Sequence, residues 1–250
     1  MIHKIGNAVL LSEIGFHGKH LNSFKEDVTD IFGDGSAIAF YALNGNTMDE
    51  SGVHNAHWVG QEDYAEIDGH TVARFTSNKS SIKVDWIERS GSGFTISGWI
   101  YILGSAGTWA NIWGFSEVDY NDYRYTHGRQ PSLFLYYNDN LRTHVRCDTV
   151  CGYSNYGVDR SNSIFQYGKW HHVVHEVEGR NQRLYVDKVL VASATAPCDY
   201  RLNSGIFHIC DPWHNDNNLT SRVRLIKRGV NQAEVDILYE DGKHILEPAL

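Results

Sequence analysis

Apolar and polar residues alternate with a period of two along much of this 250-residue chain, most clearly over residues 170–192, WHHVVHEVEGRNQRLYVDKVLVA. In the first run Trp170, His172, Val174 and Glu176 face one way, and His171, Val173, His175 and Val177 the other. In the second, Leu184 and Val186 pack while Tyr185 and Asp187 point outward. Successive strand side chains point to opposite faces, so two such runs joined by Glu178, Gly179, Arg180 and Asn181 predict a β-hairpin with one buried face. The same reading predicts strands at 37–43, 72–76, 81–86, 94–103, 109–116, 132–137, 142–147, 170–177, 183–192, 206–210 and 221–227. Residues 118–129 and 148–163 read as long, Tyr-rich polar loops. Two segments break the period. Leu21, Phe24, Val28 and Ile31 recur at helical spacing before FGDGS interrupts them, which predicts a short amphipathic helix and a glycine-rich hinge. Residues 231–239 pair Ala233 with Ile237 and Val235 with Leu238, predicting one short terminal helix. The expected organisation is an attachment arm over 1–36 and one all-β domain over 37–250.

The order of residues in the hairpin resembles the concanavalin A-like lectin and laminin-G jelly-roll superfamily, in which a "WHHVA … LYVDG" hairpin recurs. The likeness extends to AIAFYALNGNTMDESG (37–52), VARFTSNKSSIKVDW (72–86), SGFTISGWIYI (92–102) and VRLIKRGVNQAEVDILYEDG (223–242). Lys188 stands where the superfamily's turn glycine is usual, and Thr220 and Ser221 replace an acidic pair. The resemblance implies a two-sheet antiparallel jelly roll with Phe94, Ile96, Trp99, Trp170, Leu184 and Val186 in its core. The run FGDGSAIAFYALNGN also resembles the start of laminin-G-like domains in bacteriophage tail and virion proteins.

Composition agrees with a sandwich. Seven Trp, 14 Tyr and 10 Phe against four Pro and two Met suit a core about ten ångströms thick between sheets. Net charge is −8 with no basic run, which excludes nucleic acid as the expected partner. Residues 1–13 hold only a short apolar run without the layout of a secretory signal, and no stretch approaches the roughly 18 apolar residues of a membrane span. The expectation is a protein made in a host cytoplasm and residing in a virion.

Candidate chemistry is sparse. Cys147 and Cys151 bracket CDTVC, a spacing found in zinc half-sites; Cys198 and Cys210, further along, do not repeat it. A disulfide within either pair is the alternative, and free thiols are the default for an intracellular product. Glu117, Asp119 and Asp122 in EVDYND approach the ExDxxE motif of laminarinase-type hydrolases on this fold, where two carboxylates about 5 to 5.5 Å apart do the chemistry. The third carboxylate is one methylene short, and the segment also reads as a solvated acidic turn. His171 and His175 share a strand face but lie about 13 Å apart, too far for one metal, so they read as satisfied sheet residues. No catalytic residue, no metal ligand and no cofactor is expected, although the oxygen donors near 210–218 also fit calcium.

Recognition is expected on loops. Tyr120, Tyr123, Arg124 and Tyr125 offer large flat side chains at low entropic loss. Trp213, His214, Asp216 and Asn217 in CDPWHNDNN combine a stacking ring with oxygen donors. The expected function is a non-enzymatic, lectin-like virion surface protein that attaches to host-surface glycan, of tail-fibre or receptor-binding type. A capsid decoration protein using the fold for protein contacts is the alternative, and a glycan hydrolase stands third. Other virion proteins, host carbohydrate and further copies of the chain are the expected partners.

Overall fold

The computed structural model describes residues 28–76, 80–105, 109–117, 129–136, 141–160, 164–211, 214 and 216–248. Its strands are β1 (Ala37–Tyr41), β2 (His57–Val59), β3 (Tyr64–Ile67), β4 (His70–Phe75), β5 (Ser81–Ile87), β6 (Gly93–Ile102), β7 (Trp109–Ser116) and β8 (Ser132–Tyr136). They continue with β9 (Arg142–Cys147), β10 (Tyr156–Arg160), β11 (Trp170–Glu178), β12 (Asn181–Val186), β13 (Val189–Thr195), β14 (Gly205–Ile209) and β15 (Asn218–Ile226). A helix α1 (Gln232–Gly242) and a 3-10 turn (Lys243–Leu246) follow.

The strands form two antiparallel sheets. One runs β13-β12-β11-β6-β15-β4-β3, and the other runs β10-β9-β8-β7-β14-β5-β2. β15 pairs with β6 on one side and divides its other side between β4 and β1. The division falls at a bulge between Ser221 and Arg224, where Arg222 takes a φ of +54°. This is a jelly-roll sandwich. Phe94, Ile96, Leu184 and Val186 meet Trp113, Phe115, Leu133 and Phe207 in the layer between the sheets.

The expected single buried face of the hairpin proves to be two. Val173 packs between the sheets, while Val174 and Tyr185 pack on the opposite face with Ile226, Val235 and Leu238. Trp99 and Trp170 are buried on that outer face too, with Val72, Leu219 and Ile245. The reason is the C-terminal segment, which lies across the first sheet and turns its nominally solvent side into a second core. α1 starts at Asn231, whose side chain accepts from the Glu234 amide (3.1 Å) while Glu234 accepts from the Asn231 amide (2.9 Å), a reciprocal capping box. At its end Gly242 lies against the Trp99 indole: a Cβ there would come within 2.1 Å of Trp99 Nε1.

The predicted strand 183–192 is instead two, β12 and β13, joined at Asp187 and Lys188. Both take positive φ, +49° and +73°, the geometry of a tight hairpin turn. Lys188 occupies this left-handed position without being glycine, its ammonium 4.5 Å from the Tyr239 ring centre. β10 lies inside the segment expected to be a loop, and β2 and β3 were not expected at all. Residues 28–32, the described end of the predicted helix, are not helical. Arg224 Nη1 donates to the carbonyls of Val28 (2.6 Å) and Thr29 (3.1 Å), groups a continuing helix would use itself. Ile31 and Phe32 pack on the outer cluster, and Arg228 pairs with Asp34 at 2.7 Å.

Candidate functional site

Among the described residues, no helix lies on the outer face of the second sheet. On β7, β8 and β9 the core-facing Ala110, Leu135 and Val145 alternate with Trp109, Phe134, Tyr136, Arg142, His144 and Arg146, which therefore point away from the sandwich. Antiparallel register sets Trp109 beside Tyr136, Tyr136 beside Arg142 and Phe134 beside His144. The rings form a cluster, with Trp109 4.6 Å from Tyr136 and 5.1 Å from His144 between centroids. Arg142 lies 4.8 Å from the Tyr136 ring centre, and Arg129 lies 4.5 Å from that of Phe134. A cavity of about 230 Å³ opens here, lined by Trp109, Arg129, Phe134, His144 and His214.

Its polar groups are ordered by specific partners. His144 Nδ1 lies 2.8 Å from Asp159 Oδ1 on the neighbouring strand, and its Nε2 lies 3.4 Å from Arg129 Nη1. An ionised Asp159 accepts, so Nδ1 carries the hydrogen and Nε2 is left to accept from the guanidinium. Burial, reinforced by Arg146, lowers His144 to about 4 despite Asp159, so the ring is neutral at ordinary pH. Burial would raise Asp159, but Arg146 and His144 hold its carboxyl below the usual range. On the opposite rim the backbone amide and Nδ1 of His214 both bond to Asp211, the latter at 2.8 Å, which fixes the imidazole against Phe134 at 5.3 Å.

Each of the two segments expected to carry recognition contributes one described residue to this cavity, Arg129 and His214. Tyr120, Tyr123, Arg124, Tyr125 and Trp213 themselves lie outside the described residues; Arg129 is the last residue of the first loop and His214 belongs to the second. Asp216 is fully buried, and burial together with Asp211 pushes its carboxyl well above the ordinary range. Asn217 sits beside the β6–β7 turn, its carbonyl accepting from the Leu103 amide at 2.9 Å. Neither lines the cavity. Of the acidic triplet, Asp119 and Asp122 lie outside the described residues; Glu117 Oε1 accepts from Gln130 Nε2 (2.7 Å) and Asn203 Nδ2 (2.5 Å), tying two loops together.

A laminin-G family model, described as the concanavalin A-like lectin/glucanases superfamily, matches residues 67–236. The chain belongs to this superfamily. No curated protein matches it by sequence. Among solved structures, superfamily-like folds include domain 4 of AbnA, a GH43 extracellular arabinanase from Geobacillus stearothermophilus, in complex with arabinotriose. It is 16% identical with a TM-score of 0.60, covering 81% of this chain and 98% of that one. The receptor binding domain of botulinum neurotoxin D matches with a TM-score of 0.62 at 16% identity, over 82% of this chain and 52% of that one. Trypanosoma rangeli sialidase in complex with sialic acid matches at 0.60 and 13%, over 83% of this chain and 33% of that one. The chain thus spans about half of the toxin domain and a third of the sialidase. At these identities the likeness is one of fold, and the fold is shared by parts of enzymes and by binding domains alike.

The superfamily hairpin histidines are structural here. His171 Nδ1 contacts Asp187 at 2.7 Å while its Nε2 accepts from the Gln166 amide at 3.0 Å. His172 and His175 are buried, and burial lowers both to about 3. No cluster of three or more His, Cys, Asp or Glu able to hold a metal exists among the described residues. The cysteines pair across the two expected pairs: Cys151 is bonded to Cys198, and Cys147 and Cys210 are free and buried. Spacing along the chain hides this, because the Cys151 and Cys198 loops are brought together by the Thr149–Tyr200 bridge, 47 residues apart in the disulfide itself. Trp109, Phe134, Tyr136, Arg142 and His144 were not singled out from the sequence. Their signal was strand alternation that placed aromatic and cationic residues on the nominally solvent side.

Proposed function

We propose that this chain is a non-enzymatic glycan-binding module whose binding surface is the outer face of β7, β8 and β9. The observation that carries this is the cavity of about 230 Å³ walled by the half-exposed Trp109 ring and by fixed Arg and His side chains. A sugar ring offers axial C–H groups to an aromatic face and hydroxyls to convergent polar groups, and this wall presents both. The size suits one saccharide unit. Tyr120, Tyr123, Arg124, Tyr125 and Trp213 would extend the contact along the loops.

The setting we propose is the surface of a bacteriophage particle, with the module attaching to host-surface glycan as in a tail fibre or receptor-binding protein. What supports it is the sequence resemblance of residues 32–46 to virion proteins. A second reading, a decoration protein packing against other virion proteins, draws support from the edge strand β13. There Val189 and Leu190 are 62% and 48% exposed. The test is binding of the full chain to a panel of immobilised bacterial polysaccharides, wild type against Trp109→Ala. The expected result is at least a tenfold loss, or ~1.4 kcal/mol, with the melting temperature nearly unchanged. Unaltered binding by Trp109→Ala sinks this site. Release of reducing sugar by wild type, abolished in Glu117→Gln, sinks the non-enzymatic reading.

A further inference from the structure

Among the described residues, the charge around the cavity is opposite to that of the whole chain. The protein carries a net −8, yet the outer face of β9 and the adjoining loop end present Arg129, Arg142 and Arg146 within one neighbourhood. Among the described residues, Asp159 is a carboxylate that meets this group, and it is shared: Arg146 Nη2 lies 2.5 Å from it and Arg142 Nη1 3.8 Å. Asp211, on the opposite rim, is 1% exposed and has both oxygens against His214. Arg129 has no carboxylate within ion-pairing distance among the described residues. Its guanidinium lies over Phe134 and touches the acceptor nitrogen of a neutral His144, so it is positioned by groups that carry no negative charge. A planar fork of donors, stacked on a ring and lining a cavity, is matched by a carboxylate, which it can hold through two parallel hydrogen bonds.

From this we infer that the cavity selects an acidic saccharide, one whose ring rests on Trp109 and whose carboxylate is taken by Arg129. The inference rests on the glycan reading above and narrows it to sugar acids of the uronic or sialic type. It makes Arg129 the specificity-determining residue and Trp109 the affinity-determining one.

The test uses matched probes with the full chain: sialyl-lactose against lactose, and polygalacturonate against its carboxyl-reduced polymer, with dextran sulfate as a probe of charge alone. Wild type is expected to bind the acidic member of a pair at least tenfold more tightly than its neutral counterpart. Arg129→Gln, checked for an unchanged melting temperature, is expected to erase that preference, leaving the acidic member bound no more tightly than its neutral counterpart; Trp109→Ala is expected to weaken both members. Equal binding within both pairs overturns the acidic specificity and leaves the glycan reading intact. A preference that survives Arg129→Gln, or dextran sulfate binding as tightly as the acidic sugars, overturns it in favour of diffuse charge attraction. Failure to bind any probe overturns both.

Discussion

Single residues decide how the covering segment sits on the first sheet. Gly242 ends α1 with an ordinary φ of −101°, so its role is not conformational freedom but closeness. A methyl there would lie 2.1 Å from Trp99 Nε1 and 2.8 Å from Trp99 Cδ1, and the indole is held by Tyr239 and His172 on its other contacts. Gly242→Ala is therefore expected to destabilise the fold by about 1–3 kcal/mol through overpacking, despite alanine's better helix propensity. Urea denaturation of the pair measures it, and an unchanged midpoint would mean that the segment shifts without loss. The sequence shows Trp99 as a core residue but not which core. Alternation reports that a side chain is inward or outward relative to its neighbours; it is silent about a helix 140 residues later that covers the outer side.

At the scale of elements, the strands with strong alternation were legible almost to their ends, β7 and β9 among them, because one face of each is packed against the other sheet. β2 and β3 were not, since His57–Val59 is three residues long and Tyr64–Ile67 is only partly buried. β10 escaped because its exposed Asp159 and Arg160 make it read as polar loop; it is held by β9, with Arg146 and His144 engaging Asp159. The terminal helix was legible, and so is its start signal: Asn231 three residues before Glu234. Asn231→Ala is expected to lose about 1 kcal/mol of stability, and Asn231→Gly only a few tenths, because glycine keeps the cap's extended backbone accessible and better solvated. Thermal unfolding of the two variants side by side checks the order; equal losses would show that the Arg228–Glu234 ion pair at 2.7 Å, rather than the cap, anchors α1.

The whole molecule hides its site from sequence reading for a topological reason. The cavity joins strands near residues 109, 134 and 144 with loop ends at 129 and 214, and only the sheet order brings the last of these alongside. Sequence could name the two loops; it could not name the sheet face whose side chains line the cavity. The same sandwich also determines how stability responds to pH. Burial holds His172 and His175 down to about 3 and His144 to about 4, against an ordinary 6.5. A depressed imidazole contributes stability that is present above 6.5 and lost as pH falls below it, since the unfolded chain takes up the protons. Burial acts with the opposite sign on Glu176, raised from 4.5 to about 7 against the opposing pull of Arg183, and on Asp216, raised well above its ordinary value. Their contribution is fully present below the ordinary carboxyl range and, for Glu176, lost as pH rises through about 7. Asp241, depressed because Arg224 and Arg222 outweigh its burial, matters only below about 3.8. Between pH 4.5 and 6.5 three histidines outweigh two carboxyls, and above 6.5 the carboxyls act alone. Stability should therefore peak between about pH 6 and 7 and decline on both sides. Glu176→Gln, which keeps the shape and cannot ionise, should retain more of its pH 6 stability at pH 8.5 than wild type does. Denaturation midpoints taken from pH 5 to 9 measure both effects. A wild-type midpoint that keeps rising to pH 8.5, or a Glu176→Gln curve parallel to it, would show that Glu176 is ionised through its pairing with Arg183 across this whole range.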